Sequence, residues 1–208
     1  MSILPIISRQ DPAYRWLDIA VMTAFTALSV YNGQATIFYI VYLFWWNEFL
    51  SVIIKKLFDK LYKRKKEPAD STSNDPSAFL LTIYWVFIVV IFGLVANWND
   101  VEAMMTNFGV LFFKNLYFNL NMLFIVGEAC FLNLQCKGTI SAQSRNGFTA
   151  NMIVLHISII LGAFVLFGVV RRLPDIFTPG NKWGSVLVIA PFLLLRFLVQ
   201  FYRKKSGL

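Results

Sequence analysis

Between Ala78 and Asn97 no residue carries a formal charge, and Val, Ile and Phe fill most positions. As a helix at roughly 1.5 Å per residue, a run of this length is about 30 Å long. That is the thickness of the hydrocarbon core of a bilayer. The run shows no polar stripe, and a helix that is apolar all round must be buried in a large core or in lipid. Five further apolar runs recur, at about 16–31, 35–57, 107–134, 151–170 and 183–201. A chain of 208 residues cannot bury six such runs in one another, so the solvent that suits them is lipid. The expectation is an all-α, polytopic transmembrane bundle of about six spans, forming a single domain over 1–208.

The rest of the composition agrees. Charged residues make up 14% of the chain, against about 25% in soluble domains, and mean hydropathy is +0.62. No segment outside the runs reaches the roughly 50 residues of a separate domain. Function therefore belongs inside the bundle or on short connections. The short run Ile3–Ile7 is followed by Arg9, Asp11 and Arg15, which reads as an uncleaved first anchor rather than a signal peptide. Ala20, Ala24 and Ala27 form a small-residue stripe expected to pack closely on a neighbour. Asn32-Gly33-Gln34 predicts a tight turn, and 98–102 an acidic one. The fourth span carries Lys114, Asn115, Asn119, Asn121 and Glu128, so a break or strong tilt is expected there. Residues 58–77, basic and then polar with Pro68 and Pro76, predict a flexible cytosolic linker between spans two and three. No convincing internal repeat is visible, although three spans on each side of the acidic turn would allow inverted halves.

Net charge is +8 and the isoelectric point about 9.6. In a bundle of spans, such charge marks the cytosolic face and its anionic lipids better than it marks nucleic acid. Lys55, Lys56, Lys60, Lys63, Arg64, Lys65 and Lys66 are the candidate headgroup contacts. Placing them inside puts both termini in the cytosol, with the Asn32 turn and the acidic turn outside. Lys137 and Arg145 agree; Arg171, Arg172 and Lys182 do not. Cys130 and Cys136 match neither a metal-site nor a disulfide spacing and read as reduced packing residues. Short loops and the lack of N-x-[ST] sequons fit a bacterial inner membrane.

Ionisable groups within spans are costly unless paired or hydrated, which makes them functional candidates. Helical rise puts Glu48 roughly 13 Å from the cytosolic face, Glu128, His156 and Arg196 roughly 8–9 Å, and Asp18 roughly 3 Å. Four spans thus contribute to one polar layer. Glu48 with Arg196, and Glu128 with His156, are the candidate pairs; Asn47, Asn119 and Asn121 could complete hydrogen bonds around them. Such a layer serves as interhelical staples, as a hydrated ion pathway, or, for Asp18 and Arg196, as snorkelling charges. Trp16, Trp98 and Trp183 fall at predicted interfaces, whereas Trp45, Trp46 and Trp85 are expected to pack inside.

No catalytic set, metal or cofactor is expected. A single histidine excludes bis-histidine haem ligation within this chain and an H-E-x-x-H zinc site. Ser158 lies two residues from His156, on another side of its helix. Glycine-rich phosphate loops and paired intramembrane aspartates are missing from the sequence.

Residues 39–49, Tyr39-Ile40-Val41-Tyr42-Leu43-Phe44-Trp45-Trp46-Asn47-Glu48-Phe49, running on to Lys55-Lys56, resemble a motif of uncharacterised bacterial polytopic membrane proteins. There an aromatic pair precedes an acidic residue in an early span ahead of a basic end; the Trp-Asn-Glu order here departs from it. The resemblance covers one span and implies no activity. The first expectation for function is a non-catalytic subunit or accessory protein of a membrane complex, or a homo-oligomer. A small ion, proton or solute channel or carrier using the polar layer comes second, and a lipid-modifying enzyme using Glu128 and His156 third.

Overall fold

The computed structural model describes residues 12–61, 76–135, 150–173 and 182–205. All regular structure among them is helical. The α-helices are α1 (Pro12–Tyr31), α2 (Ile37–Leu61), α3 (Pro76–Phe87), α4 (Val101–Leu111), α5 (Leu116–Gln135), α6 (Ala150–Phe164) and α7 (Lys182–Lys205). Four helical stretches are long and apolar enough to cross a membrane: Ile37–Phe58, Ala78–Asn97, Val101–Phe131 and Met152–Val169. Within the described residues, Ala20–Tyr31 and Val186–Leu198 are apolar but shorter.

The arrangement is set by α2. Every residue from Ile37 to Trp45 is buried, because the sequence there offers no polar face to turn outward. Helices α3, α4, α5, α6 and α7 all pack on α2, while α1 packs on α5 and α7. Aromatic rings fill the seam between α2 and α5. Phe118 stacks on Tyr42 with ring centroids 5.6 Å apart and meets Tyr39 edge-on at 5.5 Å. Tyr42 also stacks on Phe38 at 5.0 Å. Trp45 donates its indole N–H to the Leu81 carbonyl at 2.7 Å, which fixes α3 against α2. Trp85, expected inside, is partly exposed at the edge of α3, while its indole reaches the buried Tyr42 hydroxyl of α2.

The turn between α1 and α2 forms as predicted. Gly33 takes φ of +68°, Gly33 N–H bonds the Val30 carbonyl, and Gln34 N–H bonds the Ser29 carbonyl. This pair of bonds closes a helix with a left-handed residue, for which glycine carries no Cβ penalty. The alanine stripe does not pack as expected. Ala20, Ala24 and Ala27 face outward, while Met22, Thr26, Ser29 and Val30 face in. The larger apolar side chains Met22 and Val30 take the inward face of α1, with Thr26 and Ser29 between them.

The fourth apolar run is broken. Helix α4 starts at Val101, with Asp100 accepting from the Ala103 N–H at 3.0 Å, so the acidic turn is only 98–100 and Glu102 is already helical. Helix α4 ends in the same bond pattern as α1: Phe113 N–H to the Val110 carbonyl, and Lys114 N–H to the Gly109 carbonyl. Here the left-handed residue is Phe113, with φ of +56°. A large side chain is strained in that region. The ring is retained against Trp46, at 5.4 Å, and Phe118, at 6.0 Å. Helix α2 continues through Leu61 and α3 begins at Pro76, so helices take both ends of the expected 58–77 linker; residues 62–75 lie outside the described set.

Helices α3 and α6 end alike. Each widens into a π-helical segment, Ile88–Leu94 in α3 and Val165–Val169 in α6, and then tightens into a 3₁₀ turn, Val95–Asn97 and Val170–Arg172. The matching sequences are Ile91-Phe92-Gly93-Leu94-Val95 and Leu166-Phe167-Gly168-Val169-Val170. Leu94 and Val169, at equivalent places, have φ of −111° and −113°. The surroundings differ: a Cβ on Gly162 would meet the Phe92 ring at 3.0 Å, and one on Gly93 would meet Phe38 at 3.3 Å, whereas Phe167 stays exposed.

The strain at Phe113 generates a prediction. Substituting Phe113→Ala keeps the left-handed cost and loses the ring contacts; Phe113→Gly loses the same contacts and relieves the cost. Phe113→Gly is expected to be the more stable of the two by about 1 kcal/mol, measured by denaturation in detergent. The reverse order would show that the left-handed cap is not strained.

Candidate functional site

Two groups of buried polar side chains surround α2. One lies near the Asn32–Gln34 turn and gathers around the break between α4 and α5. Asn107, 1% exposed, accepts from the Thr36 hydroxyl at 2.7 Å. Its amide N–H group points at the Phe92 carbonyl, at 3.3 Å, and the Gly93 carbonyl, at 3.5 Å. Asn97 also donates to Phe92 O, at 3.0 Å. The wide turn in α3 draws backbone carbonyls away from the regular helical ladder, and these two asparagines supply donors to them. Asn115 caps α5 by accepting from the Phe118 N–H at 2.9 Å and donates to Gln34 at 3.3 Å. Asn32 donates to the Tyr117 hydroxyl at 2.8 Å, and Asn119 to the carbonyl of the strained Phe113 at 2.7 Å. Asn121 donates to the Tyr39 hydroxyl at 2.9 Å.

Asn119 and Asn121 therefore brace the break and the start of α5. They do not join the layer around Glu48, as expected from the sequence. Both stand in the first two turns of α5, next to the break and toward the Asn32–Gln34 turn, away from the basic end of α2 where Glu48 lies.

The second group lies toward the basic end of α2. Glu48 is 1% exposed and Arg196 7%. The Arg196 guanidinium carbon sits 5.7 Å from the centroid of the Phe44 ring, within cation–π range, and Nη1 donates to the Met22 sulfur. Phe44 and Glu48 are one turn apart on α2 and share a face. The structure thus brings Glu48 and Arg196 to the same α2–α7 seam, with Met22 of α1 closing it. Asn47 is half-buried beside Glu48, and its carbonyl accepts from Ser51 at 2.7 Å.

Glu128 and His156 are not brought together. His156 Nδ1 lies 2.7 Å from the Tyr84 hydroxyl, bridging α6 to α3 on the outside of the bundle, among exposed Phe79, Ile83, Ile153 and Ile157. Glu128 opens instead onto a groove between α1 and α5, walled by Val21, Phe25, Phe124 and Phe131. The depth argument put both residues at one level; it carried no information on their angular positions around the bundle, and these differ. Asp18 belongs to α1, and its side chain lies outside the described set. Lys55, Lys56 and Lys60 are exposed on the last turns of α2, while Lys63, Arg64, Lys65 and Lys66 lie outside the described residues. Cys130 is a free thiol; Cys136 lies outside the described residues.

Sequence reasoning missed Asn107, Tyr84, Met22, Thr26, Ser29 and Tyr39. Asn107 was legible only through the repeated Phe-Gly segments, which mark the wide turns whose carbonyls need donors. Among the described residues no group of three or more His, Cys, Asp or Glu side chains could hold a metal ion.

Replacing Asn107 with alanine is expected to destabilise the bundle by about 1–3 kcal/mol, because it takes the acceptor from the Thr36 hydroxyl and the side-chain donor from the Gly93 carbonyl, and leaves the Phe92 carbonyl with Asn97 alone. Asn32→Ala, at an exposed turn, is expected to cost less than half as much. Equal losses in thermal unfolding would remove the special role given to Asn107.

Comparison with known proteins gave no match: no family model matches the chain, and no curated protein or solved structure resembles it at a significant level.

Proposed function

We propose that this chain is a multi-pass membrane protein of six spans, with both termini at the basic, cytosolic side of a cell membrane of the bacterial inner-membrane type. In this reading it is a non-catalytic subunit or accessory protein of a membrane complex. One observation carries the reading. Polar groups stand on the outside of the bundle, Tyr84 with His156 on one flank, among apolar side chains on helices suited to lipid. Ionisable groups at such depth normally face the interior of an assembly rather than lipid. A neighbouring membrane protein covers them in this reading, and Lys55, Lys56 and Lys60 rest on anionic headgroups.

The buried seam of Glu48 and Arg196 favours a second reading, a small ion, proton or solute channel or carrier. Their low exposure means that a path would have to open before solvent reached them. The lipid-modifying reading loses its acid–base pair with the separation of Glu128 from His156.

Purification from native expression levels in a mild detergent, followed by intact-complex mass spectrometry, is expected to yield a stoichiometric second protein. A chain that emerges alone or only with copies of itself would overturn the subunit reading. Vesicles reconstituted with the wild type and with Glu48→Gln are expected to show the same background ion and proton leak. Flux that the wild type supports and Glu48→Gln abolishes would establish the transport reading instead.

A further inference from the structure

Helix α4 and the link that follows it make their polar contacts to α2 at one level. Asn107, within α4, meets Thr36 at 2.7 Å; Asn115, in the link, meets Gln34 at 3.3 Å. A helix descending beside α2 would carry the second contact about two turns further along α2 than the first. Gln34 and Thr36 instead lie just before the first residue of α2, Ile37. Asn107 also meets the Phe92 and Gly93 carbonyls, at 3.3 and 3.5 Å, close to the end of the apolar run that closes at Asn97. Helix α4 therefore lies across one end of the bundle, the end of the Asn32–Gln34 turn, and leads from the end of α3 to the start of α5. Its 11 residues cover about 16 Å. That matches two helix-to-helix steps of about 8–10 Å each, from α3 past α2 to α5.

Three sectors are told apart around α4, at about 100° per residue. Asn107 and Val110 are buried against the bundle. Val101, Met105 and Phe112 form an apolar sector, at 64%, 63% and 65% exposure, flanked by exposed Trp98 and Leu116. Glu102, Thr106 and Gly109 make up the third sector, which holds no large apolar side chain. A helix sunk in hydrocarbon gains nothing from the third sector, and one in water gains nothing from the second. All three are accommodated where bundle, lipid and water meet.

We propose that α4 is an interfacial helix and that its partner is the lipid surface itself. It seats Val101, Met105 and Phe112 at the boundary between headgroups and acyl chains, while α5 alone makes the crossing. The 20 residues of α5 cover about 30 Å, the thickness of the hydrocarbon core. Trp98 suits that boundary, and exposed Asp100, Glu102 and Lys114 find water there. The placement rests on the reading of the chain as a membrane protein.

The test uses single-cysteine variants of the full chain carrying Cys130→Ser and Cys136→Ser. They are spin-labelled and reconstituted in phosphatidylcholine–phosphatidylglycerol vesicles. Depth is read from relaxation by oxygen against relaxation by a water-soluble nickel chelate. Labels at Val101→Cys, Met105→Cys and Phe112→Cys are expected at one depth, about 5–10 Å inside the interface, with Glu102→Cys open to nickel. A steady descent of about 16 Å from Val101 to Phe112 would make α4 part of a span and overturn the proposal. Nickel access at all three as high as at Glu102 would remove the lipid contact. Exclusion of both relaxing agents would give the face to a second copy of the chain instead. Should Phe112→Cys fail to fold, Leu116→Cys reads the same end of α4. Leu123→Cys and Ile160→Cys, on exposed positions of α5 and α6, are expected in the oxygen-rich core. Nickel access at those two sites would overturn the membrane reading itself, an outcome distinct from a misplaced α4.

Discussion

Helix α2 has no polar side to give to its surroundings from Ile37 to Trp45, and the rest of the molecule follows from that constraint. A helix that is apolar and aromatic around its whole girth can be accommodated in lipid or enclosed by other helices. Here it is enclosed, by neighbours on every side. The aromatic rings add a geometric demand to the apolar one, since Phe38, Tyr42, Phe118, Trp46 and Phe113 must interlock with ring centroids 5.0–6.0 Å apart. Rings at those separations prefer offset or edge-on geometries, so the placement of α5 on α2 is specific rather than greasy. The strained backbone at Phe113 is one price of that fit.

The polar groups divide by task. Asparagines near the turn end hold irregular backbone: the widened turn in α3, the cap of α5 and the left-handed residue at the end of α4. Their carboxamides both donate and accept, which suits places where helices lose their regular ladder. The charged groups nearer the basic end do something different. Arg196 rests on an aromatic face and a thioether, soft partners that tolerate a guanidinium in a nearly dry seam.

The helical runs were legible in the sequence because length and lack of charge are properties of one segment at a time. The apolar stretches and the Asn32-Gly33 turn needed no partner to be recognised, and the polarity of the fourth run announced its break. Rotation was not legible. The alanine stripe of α1 faced the wrong way in the sequence reading because small size alone was weighed, whereas the larger Met22 and Val30 of the same helix face in. Helical rise assigned His156 and Glu128 one depth but said nothing of their azimuths, which differ. The paired endings of α3 and α6 were visible as two Phe-Gly segments, but their meaning lies in backbone geometry that composition does not report.

Enclosure of α2 also has a history within each molecule. In a chain made from its N-terminus, α2 is complete long before α5, α6 and α7 exist. At roughly 5–20 residues per second, the interval between the synthesis of Glu48 and that of Arg196 is on the order of ten seconds or more. For that time the aromatic girth of α2 meets whatever shelters a nascent chain, and Glu48 has yet to meet the seam it occupies in the finished protein. Order of synthesis and order of burial run opposite to each other: the segment that ends deepest in the bundle is among the first to be made and the last to be closed in.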